Sequence, residues 1–159
     1  MNARTSGKVQ VGDRIPDFEA FTENGDLINV EVLTGQKNII YFYPKDDTPG
    51  CTKQACNLRD YYAFFIENGY RIYGVSKDSV ARHQKFKSKY ELPFPLIADP
   101  ELLMLNAFGF HGPKKFMGRE SMGTYRTTIV TDEHAVITHI IYDVKTADHT
   151  NQLKAVLGL

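Results

Sequence analysis

The sequence predicts an α/β chain, a central mixed sheet with helices on both faces and an N-terminal β-hairpin. Three observations carry that expectation. β-branched and aromatic runs such as Asn38-Ile39-Ile40-Tyr41-Phe42-Tyr43 alternate with stretches whose apolar residues recur at helical spacing, the order of a parallel sheet with crossover helices. Near the C-terminus two strand-like segments, 125–131 and 135–142, are separated only by Asp132-Glu133-His134, which implies an antiparallel edge. Early in the chain an Asn24-Gly25 pair lies between two apolar segments, a short-range hairpin signal.

Composition sets the bounds. The chain has 159 residues, a length that suits one domain with a well-formed core; we expect a tail over 1–10 and a single domain over 11–159. Lys plus Arg and Asp plus Glu both count 19, so nothing argues for nucleic acid or an anionic membrane surface as a partner. No apolar segment approaches the roughly 18 residues of a membrane-spanning helix. The first residues, Met1 to Lys8, lack the apolar centre of a secretory signal. Two cysteines in that setting predict a reducing compartment, the cytoplasm, and a redox or catalytic use rather than a disulfide framework.

Taken in order, Val11 to Phe18 opens the domain, with Pro16 fixing an extended or turning entry. Phe18–Phe21 and Leu27–Val30 form the hairpin, and 38–43 is a buried strand. After Cys51, residues Ala55, Leu58, Tyr62, Phe65 and Ile66 recur at helical spacing up to a C-cap at Gly69. Arg71–Val75 is a strand, and Ser76 to Ser79 supply caps for a helix reaching Tyr90. Phe94–Ala98 is a strand, and Asp99 as N-cap with Pro100 at the first helical position starts a helix through Phe108, closed by Gly109. Residues 110–123 read as an exposed loop, the two paired strands follow, and 148–157 is a closing helix. This order fits a thioredoxin-like layout.

The chemistry concentrates between Phe42 and Cys56. A strand, a loop rich in Pro, Gly and Asp, and a helix opening at Cys51 place that thiol at a helix N-terminus, where free backbone N–H groups favour a thiolate. An ordinary thiol is only roughly 3% ionised at neutral pH. A helix end supplies at most ~2 kcal/mol, so a nucleophile here needs a second positive group. Lys45, Lys53 and Arg59 are near in sequence, but an arginine from a neighbouring strand would serve better, because its guanidinium donates in a fixed fork. The alternatives are a small buried apolar thiol or a zinc ligand; the latter lacks paired histidine spacing. In an unbroken helix the Cα atoms of Cys51 and Cys56 would lie ~8.6 Å apart and ~140° apart around the axis. A disulfide wants Cα atoms within ~7 Å, so either the two never react or the first helical turns unwind.

At these residues the chain resembles the peroxiredoxins. Pro44-x-x-x-Thr48-x-x-Cys51 matches their active-site motif, and Cys51-x4-Cys56 is similar to the subgroup called bacterioferritin comigratory protein, or peroxiredoxin Q. The resemblance runs from Gly12-Asp13 and Pro16-Asp17-Phe18 through 41–56, 75–79 and Phe94-Pro95-Leu96 with Asp99, to Tyr125-Arg126-Thr127-Thr128. It implies that Cys51 is the peroxidatic cysteine and Cys56 the resolving one. Thr48 would hydrogen-bond the thiolate and the peroxide, Arg126 would lie beside the thiolate, and Pro44 would shape and shield the loop. It further implies reduction of hydrogen peroxide or an alkyl hydroperoxide, a 51–56 disulfide recycled by thioredoxin or a similar dithiol, an antioxidant role, and no metal or organic cofactor. An intramolecular resolving cysteine requires no partner chain and leans to a monomer. One departure stands out: members often carry a Trp near the segment written here as Phe108 to Gly112, and this chain has none.

Two other functions fit the same cysteines. A general thiol–disulfide oxidoreductase is disfavoured by the absence of Cys-x-x-Cys. A peroxide-responsive redox sensor or holdase would expose Phe64, Phe65 and their neighbours when the helix unwinds.

Overall fold

The computed structural model describes residues 9–159. The hairpin forms as expected, β1 (Glu19–Thr22) antiparallel to β2 (Leu27–Asn29), with Gly25 in the left-handed region at φ 79°. Then come α1 (Val30–Leu33), β3 (Lys37–Phe42), α2 (Pro49–Asp60), α3 (Tyr62–Glu67), β4 (Tyr70–Ser76), α4 (Val80–Tyr90), β5 (Leu96–Ala98) and α5 (Leu103–Phe108). The chain closes with β6 (His111–Phe116), β7 (Arg119–Thr124), β8 (Thr127–Thr131), β9 (Ile137–Ile141), a 3-10 turn (Thr146–Asp148) and α6 (His149–Leu157).

One seven-stranded sheet runs in the order β2-β1-β5-β4-β3-β8-β9. The β3–β4 and β4–β5 pairs are parallel, and β1–β5, β3–β8 and β8–β9 are antiparallel, so the expected mixed sheet is present. The alternation along β3 divides the core. Ile40 and Phe42 join Val30, Leu33, Met104, Leu105 and Phe108 on one face. Ile39, Tyr41 and Tyr43 join Cys51, Ala55, Leu58, Phe65, Phe86 and Leu153 on the other. Helices therefore cover both faces, α1 and α5 on the first and α2, α3, α4 and α6 on the second.

Several expectations need correction. The helix after Cys51 is two helices: the Tyr61 N–H bonds the Leu58 carbonyl, tightening the last turn, and the chain restarts at Tyr62. The helix expected from Asp99 begins only at Leu103, after Leu102 takes a left-handed conformation at φ 63°. Asp99 still caps it from a distance, its carboxylate accepting from Met104 N at 3.1 Å and Leu105 N at 2.7 Å. Residues 110–123 are not a loop but the β6–β7 ribbon, reversed at Met117-Gly118, both at positive φ as a tight hairpin turn needs. A four-residue helix, α1, was also unforeseen; the Asn29 side chain caps it, accepting from Val32 N at 2.9 Å. The expected tail over 1–10 lies, for residues 1–8, outside the described residues, and Val9 is already buried in the core, so packing starts two residues earlier than expected.

Candidate active site

α2 begins at Pro49, which suits the first helical position because its missing N–H has no helical partner to lose. Thr52 makes the first helical bond, to the Thr48 carbonyl at 2.8 Å, so the backbone N–H groups of Gly50 and Cys51 carry no helical bond. Cys51 thus sits in the positive first turn of α2, a free thiol that is 1% exposed.

The second positive group comes from the loop between β7 and β8. Arg126 Nη2 donates to Cys51 Sγ at 3.3 Å, and Arg126 Nη1 donates to Gln54 Oε1 at 2.6 Å. Gly50 lies against the same guanidinium: a Cβ there would make ordinary van der Waals contact with Arg126 Nη2, at 3.4 Å. Lys45 and Lys53 are exposed, and Arg59 is held by Asp60 at 3.0 Å and the Tyr90 carbonyl at 2.8 Å. Gln54 escaped the sequence reading. Its signal was its spacing, three residues past Cys51 and so on the same helical face.

The other expected site residues surround this pair. Cys56 lies further along the same unbroken helix, half-buried and free. Thr48 occupies the N-cap position, but its hydroxyl donates backwards to the Lys45 carbonyl at 2.9 Å rather than capping the helix. Pro44 is half-buried where the chain leaves β3 and enters the loop.

That loop is tied down by charged and polar side chains. Asp46 accepts from the Tyr43 hydroxyl at 2.6 Å and meets His83 Nδ1 at 2.6 Å, while the Asp46 N–H reaches Asp78 at 2.9 Å. Asp47, at φ 59°, accepts from Lys89 at 2.8 Å and Tyr90 at 2.6 Å. Among the described residues Asp46, Asp78 and His83 bring metal-ligand atoms within 4.8 Å of one another. Those atoms are already engaged: Asp78 also takes Ser76 at 2.6 Å and Arg82 at 2.8 Å, and His83 Nε2 faces the Ile97 carbonyl at 2.9 Å. Such a donor set fits a loop tether better than an ion site.

Burial shapes the surrounding titrations. Tyr41, buried in the same cluster as Cys51, has its hydroxyl acidity pushed well below the ordinary range of a phenol, by burial first and by Cys51 and Asp46 next. It stays neutral beside the thiol. His149, buried at the start of α6 and facing Thr128 of β8, is lowered to about 4 by burial, with the nearby Arg126 adding to the effect.

A thiol at a helix N-terminus, with a guanidinium on its sulfur and a second cysteine on the same helix, defines a thiol-dependent oxidoreductase on a thioredoxin-like sheet. Residues 11–140 match the AhpC/TSA family. The chain is 41% identical to a putative peroxiredoxin bcp of Coxiella burnetii, over 91% of this chain and 96% of that protein. It is 39% identical to peroxiredoxin Bcp of Bacillus subtilis, over 89% and 90%. Among solved structures, the bacterioferritin comigratory protein of Xanthomonas campestris, analysed for its alkyl peroxide reduction activity, superposes with a TM-score of 0.85 at 28% identity, covering 96% of this chain and 97% of that one. The chain belongs to the AhpC/TSA family, as a peroxiredoxin of the bacterioferritin comigratory protein, or peroxiredoxin Q, subgroup. It is a thiol peroxidase. Among the described residues no helix is long and apolar enough to cross a membrane.

Proposed function

We propose that Cys51 is the peroxidatic nucleophile and Cys56 its resolving partner, reducing hydrogen peroxide and alkyl hydroperoxides, the latter being the class that the Xanthomonas relative acts on. The observation that carries this reading is the 3.3 Å contact from Arg126 to the Cys51 sulfur. The thiolate attacks the hydroxyl-bearing oxygen of the peroxide, the O–O bond breaks, and water or alcohol leaves after taking a proton. Cys51 becomes a sulfenic acid. Arg126 and the free N–H groups of the first turn of α2 stabilise the charge as the O–O bond polarises.

Thr48 takes part as an acceptor. Its single hydroxyl proton is given to Lys45, so Oγ1 offers lone pairs to the O–H of an incoming peroxide and orients it. Pro44 and the tethered loop keep that oxygen in place. Because α2 runs unbroken past Cys56 in the reduced form, its first turns unwind before Cys56 reaches Cys51. A thioredoxin-type dithiol reduces the resulting disulfide, giving an antioxidant cycle that requires no metal or organic cofactor. Resolution within one chain favours a monomer, and two free cysteines favour the reducing cytoplasm.

Stopped-flow oxidation followed by thioredoxin-coupled turnover tests the reading. Wild type should consume peroxide with a fast second-order rate, Cys51→Ser should not, and Cys56→Ser should complete one turnover without recycling. Full peroxide consumption by Cys51→Ser would sink the assignment. A slow, ordinary thiol rate in wild type would favour the sensor or holdase reading instead.

A further inference from the structure

Two helices of this chain cap each other beside the resolving cysteine. Asn57 follows Cys56 directly, and Thr150 is the second residue of α6. The Thr150 N–H is one of the donors that a first helical turn leaves free, and it donates to Asn57 Oδ1 at 2.7 Å. In return the Thr150 hydroxyl donates to the Asn57 carbonyl at 3.2 Å. That carbonyl lies in the last turn of α2, where the Tyr61 N–H has gone to Leu58. Asn57 Nδ2 adds a longer bond to the Ala147 carbonyl at 3.4 Å. Thr150 and the adjacent Leu58 are buried at 1% and 0% exposure, so the joint sits on the core.

At its other end α2 is preceded by a loop fastened to α4, through Asp46–His83 at 2.6 Å and Asp47–Lys89 at 2.8 Å. Between the two fastenings lies the segment from Thr48 to Cys56. It holds both cysteines and ends where the grip on Asn57 begins.

We propose that Asn57, gripped by Thr150, is a positioning residue for the resolving step: it stops the unwinding of α2 directly after Cys56 and holds Cys56 in place while Cys51 travels to it. This rests on the reading of Cys51 and Cys56 given above. In that step the Cys56 thiolate attacks the sulfur of the Cys51 sulfenic acid, the S–S bond forms, the S–O bond breaks, and hydroxide leaves and takes a proton to become water. Without the grip, Cys56 rides on a longer fluctuating segment and its effective concentration at Cys51 falls. The sulfenic acid then persists, and a second peroxide, itself reduced to water or alcohol, converts it to sulfinic acid.

Rapid quenching with a thiol-alkylating reagent and mass spectrometry separates the two steps. Asn57→Ala and Thr150→Val should each slow disulfide formation roughly fivefold or more and lower the peroxide concentration at which sulfinic acid accumulates. The first oxidation of Cys51 should keep its rate, which general loosening of the fold would not allow. Asn57→Asp, which retains the acceptor for the Thr150 N–H, and Thr150→Ser, which retains the hydroxyl, should resolve as wild type does. Amide hydrogen exchange on oxidised wild type gives a readout that no variant has to fold for. Protection should be lost up to Cys56 and kept from Leu58 onward. Exchange running through Asp60, or variants resolving at the wild-type rate or faster, overturns the proposal alone. A wild type that forms no 51–56 disulfide overturns it together with the assigned roles of the two cysteines.

Discussion

Arg126 Nη2 donates to the Cys51 sulfur at 3.3 Å although the two residues are 75 positions apart in the chain. The sheet makes the meeting possible. β3 leads into the loop that opens α2 and its Cys51, β8 begins directly after Arg126, and the two strands are antiparallel partners with Phe42 opposite Thr127. The end of β3 and the start of β8 thus lie side by side, and each delivers its residue to the same corner. The helix end already gives this corner a positive potential, and the register adds a guanidinium to it.

Replacing Arg126 therefore strikes the first chemical step. A hydrogen bond to a charged group is worth about 1.5–3 kcal/mol, so Arg126→Ala should lower the second-order rate with peroxide by roughly one to two orders of magnitude. Arg126→Lys should recover only part of it, because one ammonium cannot reproduce the planar fork that serves both Cys51 Sγ and Gln54 Oε1. Stopped-flow oxidation under pseudo-first-order conditions measures this, and an Arg126→Lys rate equal to wild type would contradict it.

Gln54 should matter through Arg126. It is fully buried, its Oε1 takes Arg126 Nη1 at 2.6 Å, and its Nε2 has no hydrogen-bond partner among the described residues. A buried amide held by one side only implies that orienting the guanidinium outweighs the unpaired donor. Gln54→Ala should slow the oxidation of Cys51 roughly two- to tenfold, the range of a net hydrogen bond of about 0.5–1.5 kcal/mol. An unchanged rate in a folded Gln54→Ala variant would remove Gln54 from the site.

The sequence carried the fold where a local period carried it. The β-branched and aromatic run in 38–43 and the Asn24-Gly25 turn were legible because each is decided by neighbouring residues. The β6–β7 ribbon was not. Its β7 strand is exposed along most of its length, so no alternation marks it, and its turn residues Met117-Gly118 follow no common hairpin pair. α1 is too short to show a helical period. In the site, Cys51 announced itself through the Thr-Pro-Gly before it, and Arg126 entered through family resemblance. The Asp46–His83 contact joins residues 37 apart that no local pattern links.

Gly74 marks a close approach the fold cannot relax. It lies on β4 opposite Tyr41 of β3 and Leu96 of β5. A Cβ there would meet Leu96 Cδ2 and the Tyr41 ring and hydroxyl at 2.9 Å, and both side chains are at most 1% exposed. Gly74→Ala should destabilise the protein by about 1–3 kcal/mol. Tm should fall by between about 2 and 12 °C for a chain of this size. Calorimetry showing an unchanged Tm would mean that the Tyr41 ring shifts freely.

His149 should make the protein acid-sensitive below neutral pH. The Gln152 amide is fixed by its own Nε2, which donates to the Asp143 carbonyl at 2.7 Å, so its Oε1 faces His149 Nδ1 as an acceptor at 2.9 Å. Nδ1 therefore carries the proton, and Nε2 is left to accept from the Thr128 hydroxyl at 2.9 Å. This neutral form is the one burial favours, which is why the pKa falls to about 4 in the fold. In the unfolded chain a histidine titrates near ~6.5. Between those two pH values the unfolded chain binds a proton that the folded one does not, so folding stability is highest above about 6.5 and declines as pH drops towards 4. The full loss amounts to about 3 kcal/mol. Other groups titrate in the same range, so the decisive quantity is a difference. Denaturant unfolding of wild type and His149→Gln at pH 7, 6 and 5 should show the variant losing less stability on acidification. Parallel curves would place the acid sensitivity elsewhere, because a residue without a titrating ring cannot share this slope.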